Sequence, residues 1–427
     1  MEDYNSWWVG EYHPKYLEWK NADIRWMPSI VQCFKINSFA LNFIIGPRQI
    51  GKTTAIAIFI HEKLLKSFHP MAIFYYACDE LSDYRELGEV IDNYLNYRNS
   101  IHLKRSIIFL DEITFVEEWW RALKARIDSG KLRNDVIYIS GSASIELMAG
   151  KERFPGRRGS GQDYYILPLT FNEYVKFLCN IPVKDFELNI NNLNKIIKTN
   201  KIFQNRLITA FQDYLKIGGF PRSIREFLKY GRIIEANKIY LDWLKSDILK
   251  AKKSQKLVKE ILSYIIRARL SPISWNSITK EVSASSPNTI REYVEFLENL
   301  FVLKIQPYID PNGKIVYRKR KKIHIIDPFL YDVIARYTRE ETYEEQKVES
   351  IVATHIARLY DIYYWKNSSE IDIVIRTNTK LQGFEVKWSI KPQTRRYPIN
   401  TIILNKEEIP LFLAAIKWEK RQYLKKI

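Results

Sequence analysis

Early in the chain, apolar residues cluster in short runs: FALNFII at 39–45, MAIFYYA at 71–77, SIIFL at 106–110 and DVIYIS at 135–140. Each is strand-sized. A run that is apolar at consecutive rather than alternate positions reads as a strand covered on both faces. Helical segments lie between the runs, beginning with 55–66. Strands alternating with helices predict an α/β fold built on a parallel sheet.

Farther along, the period changes. Leu257, Ile261, Leu262, Ile265 and Ile266 recur at helical spacing within 256–269, and 274–282 reads as a second short helix. Ser286 followed by Pro287 opens a third, because Ser caps a helix and Pro suits its first position. Ile290, Val294, Leu297 and Phe301 form its apolar stripe. The runs 302–307 and 315–317 then read as the strands of a hairpin, which predicts a winged helix-turn-helix. A helix over 341–362, with Val348, Ile351, Val352, His355 and Leu359 on one stripe, precedes the strands EIDIVI at 370–375 and GFEVKW at 383–388.

At 427 residues the chain has room for about three domains of ~150 residues each. With 46% hydrophobic residues, it is not a disordered chain. No apolar run reaches the ~18 residues of a membrane helix, and the opening MEDYN lacks the basic start of a secretory signal. Cys33, Cys78 and Cys179 are spaced too widely for a disulfide framework or a zinc site. The six histidines show no ligand spacing, and His355 reads as a core-edge residue. The expectation is a soluble, cytoplasmic, multidomain protein.

Charge adds a partner. Lys+Arg 67 against Asp+Glu 49 leaves +18, which favours a polyanion, since cationic side chains release counterions when they neutralise phosphates. A compositional bias without any binding role is the competing reading. The distribution favours DNA: from Arg376 onward twelve basic residues face four acids (12 − 4 = +8), and Lys314 with 318–322 (RKRKK) adjoins the alternating Ile315, Tyr317, Ile323 and Ile325. Ser285, Asn288, Thr289 and Arg291 lead the third helix and would face DNA if that helix reads it. Glu292, Glu295 and Glu298 on the same helix suit a protein-directed spacer instead.

Between the strand at 39–45 and the helix after it stands GPRQIGKTT, residues 46–54. This is the phosphate-cradling loop in its required strand–loop–helix setting. Gly46, Pro47, Arg48, Gln49, Ile50, Gly51 and Thr54 shape a loop whose N–H groups turn toward phosphate. Lys52 would reach the β and γ oxygens, and Thr53 would ligate Mg²⁺. Asp111 and Glu112 follow the third strand at its C-terminal end, where ligands sit in such sheets. Asp111 is expected in the magnesium shell and Glu112 beside the attacking water; a plain helix cap is the alternative. Ser140 ends the fourth strand as a candidate γ-phosphate sensor, with capping by Ser142 or Ser144 as the alternative. Arg157 and Arg158, between Gly156 and Gly159, suit a loop presenting guanidinium to a phosphate in cis or across a subunit interface. A basic surface turn is the plainer reading.

The order GPRQIGKTT, FLDE, ISGSAS, PGRRG and LPLTFNEY (167–174) resembles the archaeal and bacterial AAA+-type ATPases of the MNS/STAND-related group. The resemblance implies ATP and Mg²⁺ as cofactors, ATP hydrolysis, and a homo-oligomer, up to a hexamer. It also implies a helical lid, with GGFP at 218–221 as its turn and 240–247 in its closing helix. The Asn/Lys-rich stretch 188–205 departs from compact versions and reads as an insertion.

Near the C-terminal end, Asp372, Glu385 and Lys387, preceded by Glu349 on a helix, resemble the PD-(D/E)xK restriction-endonuclease fold. That resemblance implies Mg²⁺ held by the hard oxygens of Asp372 and Glu385, with Glu349 in the outer shell and Lys387 orienting a water. DNA cleavage, or a catalytically silent nuclease-like domain, would follow. The expected organisation is an N-terminal segment (1–38), an ATPase core (39–180), a lid (181–252), a winged helix (253–325) and a nuclease-like domain (326–427). Together these describe an ATPase motor or switch acting on duplex or branched DNA. The alternative is a STAND-type signalling switch whose nuclease-like domain is inactive.

Overall fold

The computed structural model describes residues 2–141, 147, 150–367, 369–377, 380–389 and 396–418. The chain divides between Leu167 and Pro168 into two compact units.

In the first unit the apolar runs become β1 (Ala40–Ile45), β2 (Ile73–Ala77), β3 (Ile107–Asp111) and β4 (Val136–Ser140). A short β5 (Asp163–Tyr165) joins them. All pair in parallel, in the order β2-β3-β4-β1-β5. Every residue of β1, β3 and β4 is buried, as expected of central strands between helical layers. β5 was not foreseen, because its DYY carries no apolar run and two of its three residues are only half-buried. The sheet order matters for function. β4 lies between β1 and β3, so Ser140 comes to stand between the loop after β1 and the acids after β3.

The N-terminal aromatics cover the outer edge of β2. Asn5 Nδ2 donates to Tyr75 O at 3.0 Å, and Tyr75 N donates back to Asn5 Oδ1 at 2.7 Å. The indole N–H groups of Trp7 and Trp8 both reach Ile73 O. One side-chain amide and two indoles thus satisfy an edge that would otherwise be open to pairing.

The second unit begins with the helix Phe171–Phe177, started by a capping box between Thr170 and Glu173. Helices Gln204–Ile217, Pro221–Tyr230 and Glu235–Lys250 follow, with Pro221 at the first position of its helix. The stretch 188–205 is folded: Leu193, Ile196 and Ile197 of the helix Leu193–Lys198 are buried. Next come Gln255–Arg267, Trp275–Thr279 and Pro287–Asn299, the last capped by Ser286, which accepts from Thr289 N at 3.2 Å.

The hairpin pairs β6 (Leu303–Gln306) with β7 (Lys322–Ile325), antiparallel. This corrects the second strand expected at 315–317, where Ile315 makes only an isolated bridge to Ile309. The reason is burial: Ile323 and Ile325 meet Ile305 and Leu303 across the ladder in the core, whereas Tyr317 is exposed. Behind the hairpin stands a four-stranded sheet, β11-β10-β9-β8. Its members are β8 (Ile362–Lys366), β9 (Glu370–Arg376), β10 (Leu381–Val386) and β11 (Thr401–Leu404). Helices Pro328–Thr338, Glu344–Ala357 and Glu408–Ala415 complete the unit. Gln306 fastens the hairpin to this sheet: its Nε2 donates to Tyr363 O at 2.7 Å and Asp372 O at 2.9 Å, while its Oε1 meets His324 Nε2 at 2.7 Å.

His355 is buried rather than at the core edge. Its Nε2 accepts from Phe171 N at 3.0 Å and its Nδ1 lies 2.8 Å from Ile351 O. One acceptor and one donor nitrogen require the neutral ring, and burial, followed by the Arg358 charge, lowers its pKa to about 3. The unfolded chain takes up that proton near 6.5. The ring's contribution to stability is therefore complete above about 6.5. It is lost as pH falls toward about 3, at up to ~1.4 kcal/mol per pH unit. The His355 ring resonances should accordingly stay fixed between pH 8 and 5; a titration midpoint near 6.5 would contradict this.

Candidate functional site

The loop after β1 is shaped by two glycines. Gly51 caps the helix Lys52–Glu62 with φ +94°, a left-handed conformation that side chains resist. A Cβ on Gly46 would lie 2.1 Å from Ile166 O, so only glycine fits against the chain leaving β5. Within the loop Ile50 and Pro47 are buried, Gln49 is exposed at φ 58°, and Arg48 and Thr54 are half-buried. Lys52 is buried, its Nζ donating to Gly46 O and Pro47 O at 3.0 Å each.

Asp111 is the hub. Its Oδ2 accepts from Thr53 Oγ1 at 2.6 Å and from Tyr75 OH at 3.0 Å. Its Oδ1 accepts from Ser140 Oγ and, at 3.1 Å, from Glu112 N. Glu112 follows in left-handed backbone, φ 53°, unusual for a non-glycine residue. Its Oε2 is buried and has no hydrogen-bond partner among the described residues. An unpaired buried acceptor costs free energy, which fits a group reserved for a donor that arrives with a ligand. Thr53 and Asp111 supply hard oxygens at one point, the donor chemistry that suits magnesium. Burial, then the charge of Asp111, pushes the Tyr75 phenol far above its ordinary pKa, so it remains a donor to this carboxylate.

Arg157 and Arg158 are engaged elsewhere. Arg157 Nε meets Asp128 at 2.7 Å, and Arg158 Nη2 meets Asp163 at 2.6 Å, with its guanidinium 4.9 Å from the Phe43 ring centroid. Ser142 and Ser144, the alternative caps, lie outside the described residues.

In the second unit, the β9–β10 ladder ends at Ile373↔Phe384. Asp372 and Glu385 stand at the next, opposed position. Asp372 Oδ2 accepts from Val386 N at 2.9 Å, and Glu385 Oε2 accepts from Asp372 N at 3.3 Å. Lys387 Nζ is 2.5 Å from Glu385 Oε1. Glu349 reaches the same place from its helix, but what it meets is Lys322. The Lys322 ammonium, its side chain 2% exposed, lies 2.6 Å from Glu370, 2.7 Å from Glu349 and 3.0 Å from Asp372.

The electrostatics follow the packing. Burial opposes the Lys322 charge, yet the carboxylates of Glu349, Asp372 and Glu370 hold its pKa well above the ordinary lysine value. Burial and the Asp372 charge push Glu349 up to about 8 and Glu385 up to about 7. Glu370 is also penalised by burial but is pulled down by Lys322. Among the described residues, no group of three or more His, Cys, Asp and Glu side chains stands in an arrangement able to hold a metal ion. Of the acids expected to serve magnesium, Glu349 and Asp372 thus meet the Lys322 ammonium, and Glu385 meets Lys387.

Residues 38–175 match the model of an AAA domain. The match to an AAA domain thus takes in most of the first unit. Strands β1 to β5 and the loop at 46–54 lie within the matched residues. Residues 208–341 match a second family model, a domain of unknown function (DUF8612), which contains β6, β7 and Lys322. The chain is 25% identical over 301 residues to the uncharacterized protein MJ1544 of Methanocaldococcus jannaschii, a match covering 67% of this chain. It spans 60% of that relative's length, less than two thirds. An uncharacterized protein of Haemophilus influenzae is 26% identical over 304 residues, 68% of each chain. Among solved structures, the Walker-type ATPase PABY2304 of Pyrococcus abyssi is similar at 14% identity and TM-score 0.42, covering 70% of this chain and 91% of that one. No helix among the described residues is long and apolar enough to cross a membrane.

Sequence reasoning missed Tyr75, Glu370 and above all Lys322, which had been grouped with the exposed basic run. The signal was present: within 322–325 Ile323 and Ile325 take one phase and Lys322 and His324 the other, both of the latter buried.

Proposed function

We propose that the chain binds and hydrolyses ATP and acts on DNA. The observation that carries the first half is the convergence of Lys52, Thr53, Asp111 and Ser140 beside the unpartnered Glu112 Oε2. Magnesium bound with ATP supplies charge neutralisation and a template for the phosphates. Lys52 and the loop N–H groups bind the β and γ oxygens, and Thr53 and Asp111 hold the ion. Ser140 stands beside Asp111 to register the γ-phosphate. Glu112 orients the attacking water and accepts its hydrogen bond at Oε2, which has no partner among the described residues. Arg157 or Arg158 would exchange its carboxylate partner for a phosphate within a homo-oligomer. The AAA core at 39–180, the lid at 181–252, the winged helix at 253–325 and the nuclease-like domain at 326–427 are the functional divisions within this reading.

The second half rests on charge. Lys314, Arg318, Lys319 and Arg320 are exposed on the β6–β7 connection. Arg376, Lys380, Arg396 and Lys417 are exposed in the C-terminal region. Of the residues expected to lead the third helix onto DNA, Ser285 and Asn288 are exposed, and Arg291 is paired with Glu295 at 2.6 Å. Changing Lys314, Arg318, Lys319 and Arg320 to Gln should weaken DNA binding and flatten the slope of log K against log[salt] by about 0.9 per lost phosphate contact. An unchanged slope by fluorescence anisotropy would remove this loop from the interface.

The lysine inside the acid cluster favours a nuclease-like domain that does not cut, as in a nucleotide-gated switch. ATP turnover with single-stranded, duplex and branched DNA, with a cleavage gel run on the same samples, tests the whole reading. DNA-stimulated hydrolysis supports it. Turnover indifferent to every DNA form favours a protein-directed switch.

A further inference from the structure

We propose that Lys322 is the resident cation of the carboxylate cluster, a tethered ammonium that takes the place a divalent ion would need and makes the site non-hydrolytic. An ammonium has three N–H donors. Lys322 Nζ finds three carboxylates, Glu370 at 2.6 Å, Glu349 at 2.7 Å and Asp372 at 3.0 Å. It donates to Glu349 and Asp372 and pairs in charge with Glu370.

Magnesium demands near-octahedral oxygen ligands at about 2.1 Å. An ion on Asp372 would have to bind a carboxylate whose Oδ1 already lies 3.0 Å from the Lys322 ammonium, a like charge. The neighbouring oxygens also carry partners of the protein's own: Asp372 Oδ2 has Val386 N, Glu385 Oε2 has Asp372 N, and Glu385 Oε1 has Lys387. Lys387, the side chain expected to orient a water, is thus tied to an acid.

Lys322 is also poorly placed to withdraw. Its neighbours on β7, Ile323 and Ile325, are buried opposite Ile305 and Leu303. His324 is held by Gln306 at 2.7 Å and Ser350 at 3.1 Å. Moving the ammonium out requires moving the strand. This inference does not depend on the ATP or DNA assignments.

The test uses the full chain and Mn²⁺ as the probe, with free Mn²⁺ counted by electron paramagnetic resonance. Subtracting the Asp372→Asn protein removes any ion held at the phosphate loop. The parent should show no Asp372-dependent Mn²⁺ site. Lys322→Met, which keeps the stem and removes the charge, should gain one, with association tightened at least about tenfold as the acids lose their internal cation. Its melting temperature should rise with Mn²⁺, and Asp372→Asn in the same background should abolish both effects. An Asp372-dependent Mn²⁺ site in the parent, or Mg²⁺-dependent DNA cleavage lost in Asp372→Asn, overturns the proposal. So does a folded Lys322→Met protein that gains no site. If Lys322→Met does not fold, the comparison of parent with Asp372→Asn decides alone.

Discussion

Glu112→Gln should retain ATP while turning it over about 10²–10³-fold more slowly, the usual scale for removing one preorganised polar contact from a transition state. The amide keeps the size of the side chain but is a far weaker base and acceptor toward water. Binding should survive because none of the groups expected to touch the nucleotide is changed: Lys52 lies over the loop, and Thr53 remains 2.6 Å from Asp111. Lys52→Ala should behave differently, losing retention as well as turnover, since the ammonium meets phosphate in the ground state too. Equilibrium dialysis with labelled ATP, followed by single-turnover hydrolysis, separates the two. Equal losses of binding in both proteins would mean that Glu112 supports the loop rather than the water.

The second large effect concerns stability. Lys322→Ala should cost the second unit about 3–5 kcal/mol in urea unfolding, the range for breaking a buried ion pair from one side. Three carboxylates would be left facing one another with little water to screen them. The same principle predicts partial rescue when charge is removed from both sides: Lys322→Met combined with Glu349→Gln and Glu370→Gln should regain much of the loss, because amides pair without net charge. A Lys322→Ala cost below about 1 kcal/mol, the scale of an exposed pair, would show that the ammonium is already solvated.

Recognition from sequence succeeded where the physics is local. A buried parallel strand announces itself as a continuous apolar run, and four such runs gave β1 to β4 within a residue or two. The phosphate loop is contiguous, so its chemistry and its strand–helix setting are both visible along the chain. Ser286–Pro287 is a local cap, and the helix start follows. Where a partner is distant in sequence, the pattern was silent. Asp128 holds Arg157 across 29 residues, Tyr75 supports Asp111, and Asn5 closes the edge of β2; none of these pairs lies within one turn or one hairpin. The hairpin strand was misplaced because alternation at 315–317 and at 322–325 looks alike until one of the two is buried.

By itself, then, the order of residues determined an α/β unit, its glycine-framed loop, its acids and a basic excess, since each depends on short-range periodicity or on composition. It also supplied Glu349, Asp372 and Glu385, though not Glu370. What it left open was whether a metal or a side chain sits among those acids. That was decided by the tertiary fold, which brings Lys322 on β7 to Glu349, Glu370 and Asp372 across separations of up to 50 residues. Charges that meet only after the chain has packed are neutralised by whichever cation the packing delivers.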